Sequence, residues 1–235
     1  MSQERSEAIV IRGVDFSETS RIVTFLTPER GKLACMATGV RRAKSPLAAA
    51  LDTFNRVEIV YYWKEGRSVQ KLGEATLLDA FTALKSDVEK SVYAAFPLEF
   101  ALRVAQEDEP SHALYRVLAD GLRDLAAWQG TAKAHVSWIV YWMLAASGFE
   151  PNLEPSSSSG PIRFSYDSGV VDSGMPADRT LSMEELESLQ AIAASPGACP
   201  ANGLDSRVFE SIRRYAARQV DCEFRSLRVI EQMFG

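Results

Sequence analysis

The 235 residues carry 26 Lys and Arg against 31 Asp and Glu, a formal charge of −5, and 46% of them are hydrophobic. That balance supplies a real core and excludes a general polycation, so any nucleic-acid face has to be local. No apolar run approaches the roughly 20 residues that span a bilayer, the start Met1-Ser-Gln-Glu-Arg5 has no signal-peptide core, and three cysteines (Cys35, Cys199, Cys222) without a CxxC pair fit a reducing, cytoplasmic setting.

Residues 8–44 hold three β-branched and aliphatic runs, punctuated by Gly13 with Asp15, by Pro28 with Gly31, and by Gly39. That pattern predicts a three-stranded meander. Ser45 and Pro46 suit the cap and first position of a short helix. In Arg56-Val-Glu-Ile-Val-Tyr-Tyr-Trp63, alternation places Val57, Ile59, Tyr61 and Trp63 on one face. Lys64-Glu-Gly66-Arg67 then turns the chain, and residues 68–77 return as a fifth strand. Three strands, a short helix and a hairpin is the order of an OB barrel, whose strand face and loops take single strands. Strand order alone leaves other small barrels open.

From Leu84 the period becomes helical. One helix is expected over 87–105, kinked at Pro97. A second follows Ser111, with Leu114, Val117, Leu118, Leu122 and Leu125 on one stripe. A third runs from Thr131 to a Ser147-Gly148 stop, its Trp138 and Trp142 read as core. Residues 149–181, rich in Ser, Pro and Gly, read as irregular. Ser182-Met-Glu-Glu185 is a capping box opening a fourth helix. A last helix is expected over 205–228, with Arg207, Arg213, Arg214 and Arg218 along it. The fold class is therefore α+β: a five-stranded barrel over 1–80 packed on a helical domain over 81–235.

Charge is unevenly spread. Residues 1–80 hold 12 basic and 10 acidic side chains, 81–150 hold 6 and 9, and 151–235 hold 8 and 12. Between positions 30 and 44 five cations (Arg30, Lys32, Arg41, Arg42, Lys44) stand with no carboxylate. Charge runs are usually solvated loops, but a one-signed patch at a strand end attracts phosphate whatever the base sequence. Tyr62, with Phe54 behind it, is the aromatic candidate for base stacking. Enzyme signals are weak. Gly31-Lys32 has Leu26 where a phosphate loop needs glycine, and Ser68-Val-Gln-Lys71 lies in a strand reading. His112 and His135 fall at helix starts, where solvation or capping is commoner than catalysis. No catalytic residue is assigned, and a binding module is favoured.

Arg12-Gly-Val-Asp-Phe-Ser-Glu18-Thr-Ser-Arg21-Ile-Val, Thr27-Pro-Glu-Arg30-Gly31-Lys32 and Gly39-Val-Arg41-Arg42-Ala-Lys44-Ser45 resemble the N-terminal barrel of the RecO family of bacterial recombination mediators. Gly148-Phe-Glu-Pro151-Asn-Leu153 and Phe224-Arg225-Ser226-Leu227-Arg228 resemble its later part, in the right order. The resemblance implies an OB barrel with a helical domain, in a non-enzymatic, cytoplasmic and nucleoid-associated protein of RecF-type repair. It implies binding of single- and double-stranded DNA and annealing of complementary strands. With RecR, such proteins help RecA displace single-strand binding protein. The resemblance also implies docking of that protein's acidic, Phe-ended tail on the helical half. Arg116 and Arg123 with Leu122 and Trp128 are the candidate seat, against pairing of these arginines with Asp120 and Asp124. The family's zinc pattern falls on Ser156, Ser159, Asp172 and Met175, which do not make a tetrahedral ligand set. No metal or other cofactor is expected. The other class in view is an OB-fold adaptor whose main ligand is a protein.

Overall fold

The computed structural model describes residues 2–42, 45, 47–155, 160–200 and 204–235; Lys44, Ser156 and Ser159 lie outside them. In chain order come β1 (Ser2–Asp15), β2 (Arg21–Thr27), β3 (Gly31–Ala37), α1 (Leu47–Ala50), β4 (Arg56–Trp63) and β5 (Gln70–Asp79). Helices α2 (Thr82–Ser86), α3 (Val88–Val104), α4 (His112–Ala127) and α5 (Ala132–Ala146) follow. Three short strands, β6 (Ile162–Ser165), β7 (Gly169–Val171) and β8 (Arg179–Leu181), precede α6 (Met183–Ala193), α7 (Val208–Gln219) and α8 (Arg225–Phe234). These elements pack as two compact units, 1–86 with 101–126 and 87–100 with 127–235.

In the first unit the five strands close into a barrel in the order β1-β2-β3-β5-β4, the OB arrangement expected from the order of the elements. β1 is long enough to serve both neighbours. Its residues 2–9 pair with β4 and 9–15 with β2, and the register shifts between Val10 and Arg12. Such a bulge bends the strand so that the sheet can wrap. Ala8, Val10, Val23, Phe25, Leu33, Cys35, Val57, Ile59, Tyr61 and Leu72 fill the interior with Ala50 and Leu51 of the α1 region. At roughly 1.5–3 kcal/mol for each large side chain enclosed, this cluster is the barrel's main cohesion. The β2–β3 turn is tied down by Ser111 N–H donating to Pro28 O at 2.8 Å and Lys32 N–H donating to Gln106 O at 2.9 Å. α4 buries Leu114, Leu118, Leu122 and Leu125 along one stripe.

The second unit is built around α5, whose Trp138 is a core side chain while Trp142, also expected in the core, is only partly buried. Their indole N–H groups donate to Ser195 O at 2.7 Å and Ile192 O at 3.2 Å. Thr131 caps α5 by accepting from Ala134 N–H. The Ser147-Gly148 stop forms as expected: Gly148 takes a φ of 79°, and Phe149 N–H reaches back to Leu144 O. His135 departs from its expected solvated place; it is buried and lies against Trp128 and Trp138.

Three local expectations are amended. Residues 149–181 are not irregular throughout, because β6 pairs with both β7 and β8 in a small antiparallel sheet. Ser182 caps α6, but only half of the capping box is made. Glu185 turns inward instead, bound to Arg179 at 2.8 Å and to the Ser211 hydroxyl at 2.7 Å. The single helix expected over 205–228 breaks into α7 and α8 at Asp221, which adopts φ 45°. Cys222 N–H to Ala217 O and Asp221 N–H to Arg218 O make the double closure usually built on glycine. Beyond the break, Glu99 accepts from the N–H groups of Arg225 and Ser226 and caps α8.

The small sheet is anchored by Asn152, which accepts from Val170 N–H at 2.7 Å and donates its N–H to Ser168 O at 3.0 Å. Gly169 sits between them at φ 96°, where an added Cβ would stand 2.2 Å from Asn152 O. Gly169→Ala is therefore expected to destabilise the second unit by about 2–4 kcal/mol, since backbone rather than a movable side chain blocks the methyl. A denaturant midpoint unchanged from the parent would contradict this packing.

Candidate nucleic-acid interface

Following the ladder registers around the barrel defines one outward row. Val14 pairs with Ile22, Ile22 with Met36, Met36 with Lys71, and Lys71 with Tyr62. Directly paired residues share a face, so these side chains form a continuous stripe. At the same barrel end lie the β1–β2 turn (16–20), the segment after β3 with Gly39, Arg41 and Arg42, and the β4–β5 turn with Lys64 and Arg67. Tyr62 lies over Gly73, where an added Cβ would stand 3.2 Å from the ring, and the Lys71 ammonium sits 5.5 Å from the ring centroid. The result is an aromatic surface with a cation on its face, both of use to a nucleotide.

The five predicted cations do not stay together. Arg41 and Arg42 are exposed at this end, and Lys44 lies outside the described residues. Arg41 also holds structure: its guanidinium donates to Ser17 O at 2.7 Å and meets Asp15 at 3.4 Å. Arg21, which no sequence signal singled out, binds the same Asp15 at 2.9 Å. The Arg21 hydrogen bond, with Arg41 nearby, holds the Asp15 carboxyl below the usual carboxylate range. Lys32 lies at the far end of β3, five residues or about 16 Å from Ala37, with its ammonium 3.5 Å from Leu102 O.

Arg30 is withdrawn from the interface altogether. It is half-buried, bidentate on Glu4 at 2.9 and 3.0 Å, bound to Asp108, and stacked 4.0 Å over Trp63. Burial opposes its charge, but the bonds to Asp108 and Glu4 prevail and raise its pKa. Tyr61 donates to the same Glu4 at 2.9 Å. Burial, then Glu4, pushes its hydroxyl above the ordinary range. Phe54 precedes β4 at the opposite end, in a positive-φ conformation (75°), its N–H donating to Val10 O.

Arg116 and Arg123 of α4 line a cleft of about 380 Å³ with Arg56, Phe81 and Tyr115. Leu122 cannot join them, because it is wholly enclosed in the α4 stripe. Arg123 is engaged by Asp120 at 2.8 Å and Asp124 at 3.0 Å. Within the second unit, a cleft of about 190 Å³ lies among Tyr93, Lys133, Phe209, Leu227 and Ile230, with Arg213 at its edge held by Glu210 and by Glu231 at 2.9 Å. Trp128 lines neither cleft. Of the positions under the zinc pattern, Asp172 and Met175 are exposed and belong to one turn, Met175 N–H donating to Asp172 O at 3.0 Å. A carboxylate and a thioether do not fit a structural zinc. Among the described residues, no three His, Cys, Asp or Glu side chains gather to hold a metal.

A closed barrel in OB order, continued by a helical unit, defines the class: an OB-fold protein with a helical second unit. The chain belongs to the RecO family of DNA repair proteins. Residues 1–81 match the family model for the Recombination protein O N terminal, and 85–223 the model for its C terminal. The DNA repair protein RecO of Exiguobacterium sibiricum is 33% identical over 171 residues, 71% of this chain and 67% of that one. Its counterpart in Anaeromyxobacter dehalogenans is 26% identical over 88% of each chain. The counterpart in Shouchella clausii is 30% identical over 167 residues, and there the match spans less than two thirds (64%) of the relative. No helix among the described residues is long and apolar enough to cross a membrane.

Because Arg30 neutralises half-buried Glu4, Arg30→Ala is expected to lower stability by about 1–3 kcal/mol while changing DNA affinity by less than about twofold. Urea denaturation and fluorescence anisotropy read the two effects separately. Normal stability with abolished DNA binding would return Arg30 to the interface.

Proposed function

We propose that this chain is a DNA-binding recombination mediator that works on single- and double-stranded DNA and anneals complementary strands. With RecR, it would help load RecA onto strands coated by single-strand binding protein, in the cytoplasm and at the nucleoid. One observation carries the reading: the stripe of Met36, Lys71 and Tyr62 with Arg41 and Arg42 at one end of an OB barrel. Phosphate attraction by the cations gives affinity without sequence preference, and the aromatic face takes bases of any kind. Membership in the RecO family supports the repair setting. No residue of the chain is given a catalytic part. The deciding assay is annealing of complementary oligonucleotides already coated with single-strand binding protein. Acceleration supports the reading, and an unchanged rate at saturating protein refutes it.

For the acidic tail of single-strand binding protein, the Tyr93–Phe209 cleft offers the apolar seat that the α4 cleft lacks once Leu122 is buried, with Lys133 as its cation, since Arg213 is held by Glu210 and Glu231. It offers an apolar floor beside a cation, which an acidic segment with an aromatic end requires. The same seat is the observation that favours the adaptor reading. The two differ in salt dependence. A mediator loses single-strand affinity steeply as salt rises, whereas an adaptor shows no binding at moderate salt.

Replacing Arg42 and Lys71 together by Ala is expected to reduce the log–log salt slope for single strands by about 1.4, at roughly 0.7 for each phosphate neutralised by one of them. An unchanged slope in a folded double variant would exclude these cations. The chain is also proposed to hold no structural zinc. Elemental analysis of protein purified without added metal should find none in stoichiometric amount; one equivalent surviving chelator dialysis would mean other ligands hold it.

A further inference from the structure

Phe16 is 64% exposed, the most open of the large hydrophobic side chains among the described residues. Its exposure is not the slack of a loose loop. Phe16 N–H and Ser17 N–H donate to Ser20 O at 3.0 and 3.2 Å, and Ser20 N–H donates to the Ser17 hydroxyl at 3.2 Å. From the segment after β3, Arg41 N–H reaches Thr19 O at 3.2 Å, and the Arg41 guanidinium holds Ser17 O. The turn is thus pinned from both sides while its aromatic ring remains in water. Arg41 holds this turn and shares Asp15 with Arg21, Arg42 is exposed in the same segment after β3, and Val14 (44% exposed) begins the apolar stripe that continues through Ile22 and Met36.

An exposed ring on a turn clipped by Arg41, with the exposed Arg42 in the neighbouring segment, suits a ligand that is both anionic and flat-faced. An unpaired nucleotide is such a ligand: its phosphate answers the cations and its base answers the ring. A duplex keeps its base faces inside the stack and must be unstacked, at a cost of a few kcal/mol, before it can use them. We infer that Phe16 is a base-stacking residue that makes this barrel end prefer single strands to duplex. The inference rests on the DNA-binding reading and adds to it the source of strand selectivity. Arg41 acts here as a positioning residue, clipping the turn so that Phe16 is presented.

The test compares Phe16→Ala and Phe16→Trp with the parent by anisotropy, on a labelled single-stranded oligonucleotide and on its duplex. Phe16→Ala should weaken single-strand binding roughly five- to a hundred-fold, the range for one stacked base, and leave the duplex within about twofold. Its salt slope should not change, because no charge is removed. Phe16→Trp should restore single-strand affinity. Equal losses for both substrates, or none for either, would overturn the inference. So would failure of tryptophan to rescue, which would point to a protein contact at Phe16. If the parent itself binds no DNA, the DNA-binding reading falls; if it binds and Phe16→Ala binds equally well, only the role of Phe16 falls. Phe16 is a surface side chain, and an unchanged thermal transition in each variant separates a binding defect from misfolding.

Discussion

The parallel pairing of Cys35 with Gln70 and Met36 with Lys71 closes the barrel, and the placement of the whole candidate interface depends on it. Every other ladder of the barrel is antiparallel and longer. Gln70 reinforces this short seam. Its buried amide accepts from Lys64 N–H at 2.9 Å and donates to Lys64 O and Arg67 O, fixing the β4–β5 turn to the start of β5. Beside it Cys35 is fully enclosed, and burial pushes its thiol up to about 12, so it serves as a small hydrophobe rather than a nucleophile. Without the seam β3 and β5 would be two edges, and Met36, Lys71 and Tyr62 would belong to separate surfaces.

Electrostatics in this protein is decided in space rather than along the chain. A run of cations without a carboxylate becomes, once folded, two arrangements with different consequences. Asp15 divides its charge between Arg21 and Arg41 and so steadies the β1–β2 turn. Glu4 and Asp108 draw Arg30 away to the barrel side, where Trp63 covers it. What remains turned outward at this barrel end is a smaller cationic set built on Arg42 and Lys71, the latter in the row that ends at Tyr62. In a chain whose overall charge is negative, any attraction to phosphate at this barrel end has to be local.

Much of the fold was legible because the signals were local. Alternation in Arg56–Trp63 told inward Val57, Ile59 and Tyr61 from outward Tyr62, and Gly148 marked the end of α5 by residue type alone. The break at Asp221 was not legible, since an aspartate in the left-handed region leaves none of the usual glycine mark. Glu185 looked like the far half of a capping box, but it is buried and its partners Arg179 and Ser211 lie 6 and 26 residues away, beyond what a four-residue motif reports. At the candidate interface, the placement of Tyr62, Arg41 and Arg42 at one barrel end followed from composition and alternation. That of Lys71 did not, because its place beside Tyr62 is set by barrel register. Leu122 failed as a docking residue for a related reason: its position on the helical stripe, visible in the sequence, already assigned it to the core.

Nucleic acid is proposed to lie across the barrel end made by the β1–β2 turn, the segment after β3 and the β4–β5 hairpin. Photo-crosslinking of a thio-thymidine single strand to the full chain, mapped by mass spectrometry, tests this most directly. Crosslinks should concentrate in peptides holding residues 14–21, 36–42 and 60–73. Crosslinks confined to the second unit, for instance to the arginines of α7, with none on the barrel, would contradict it.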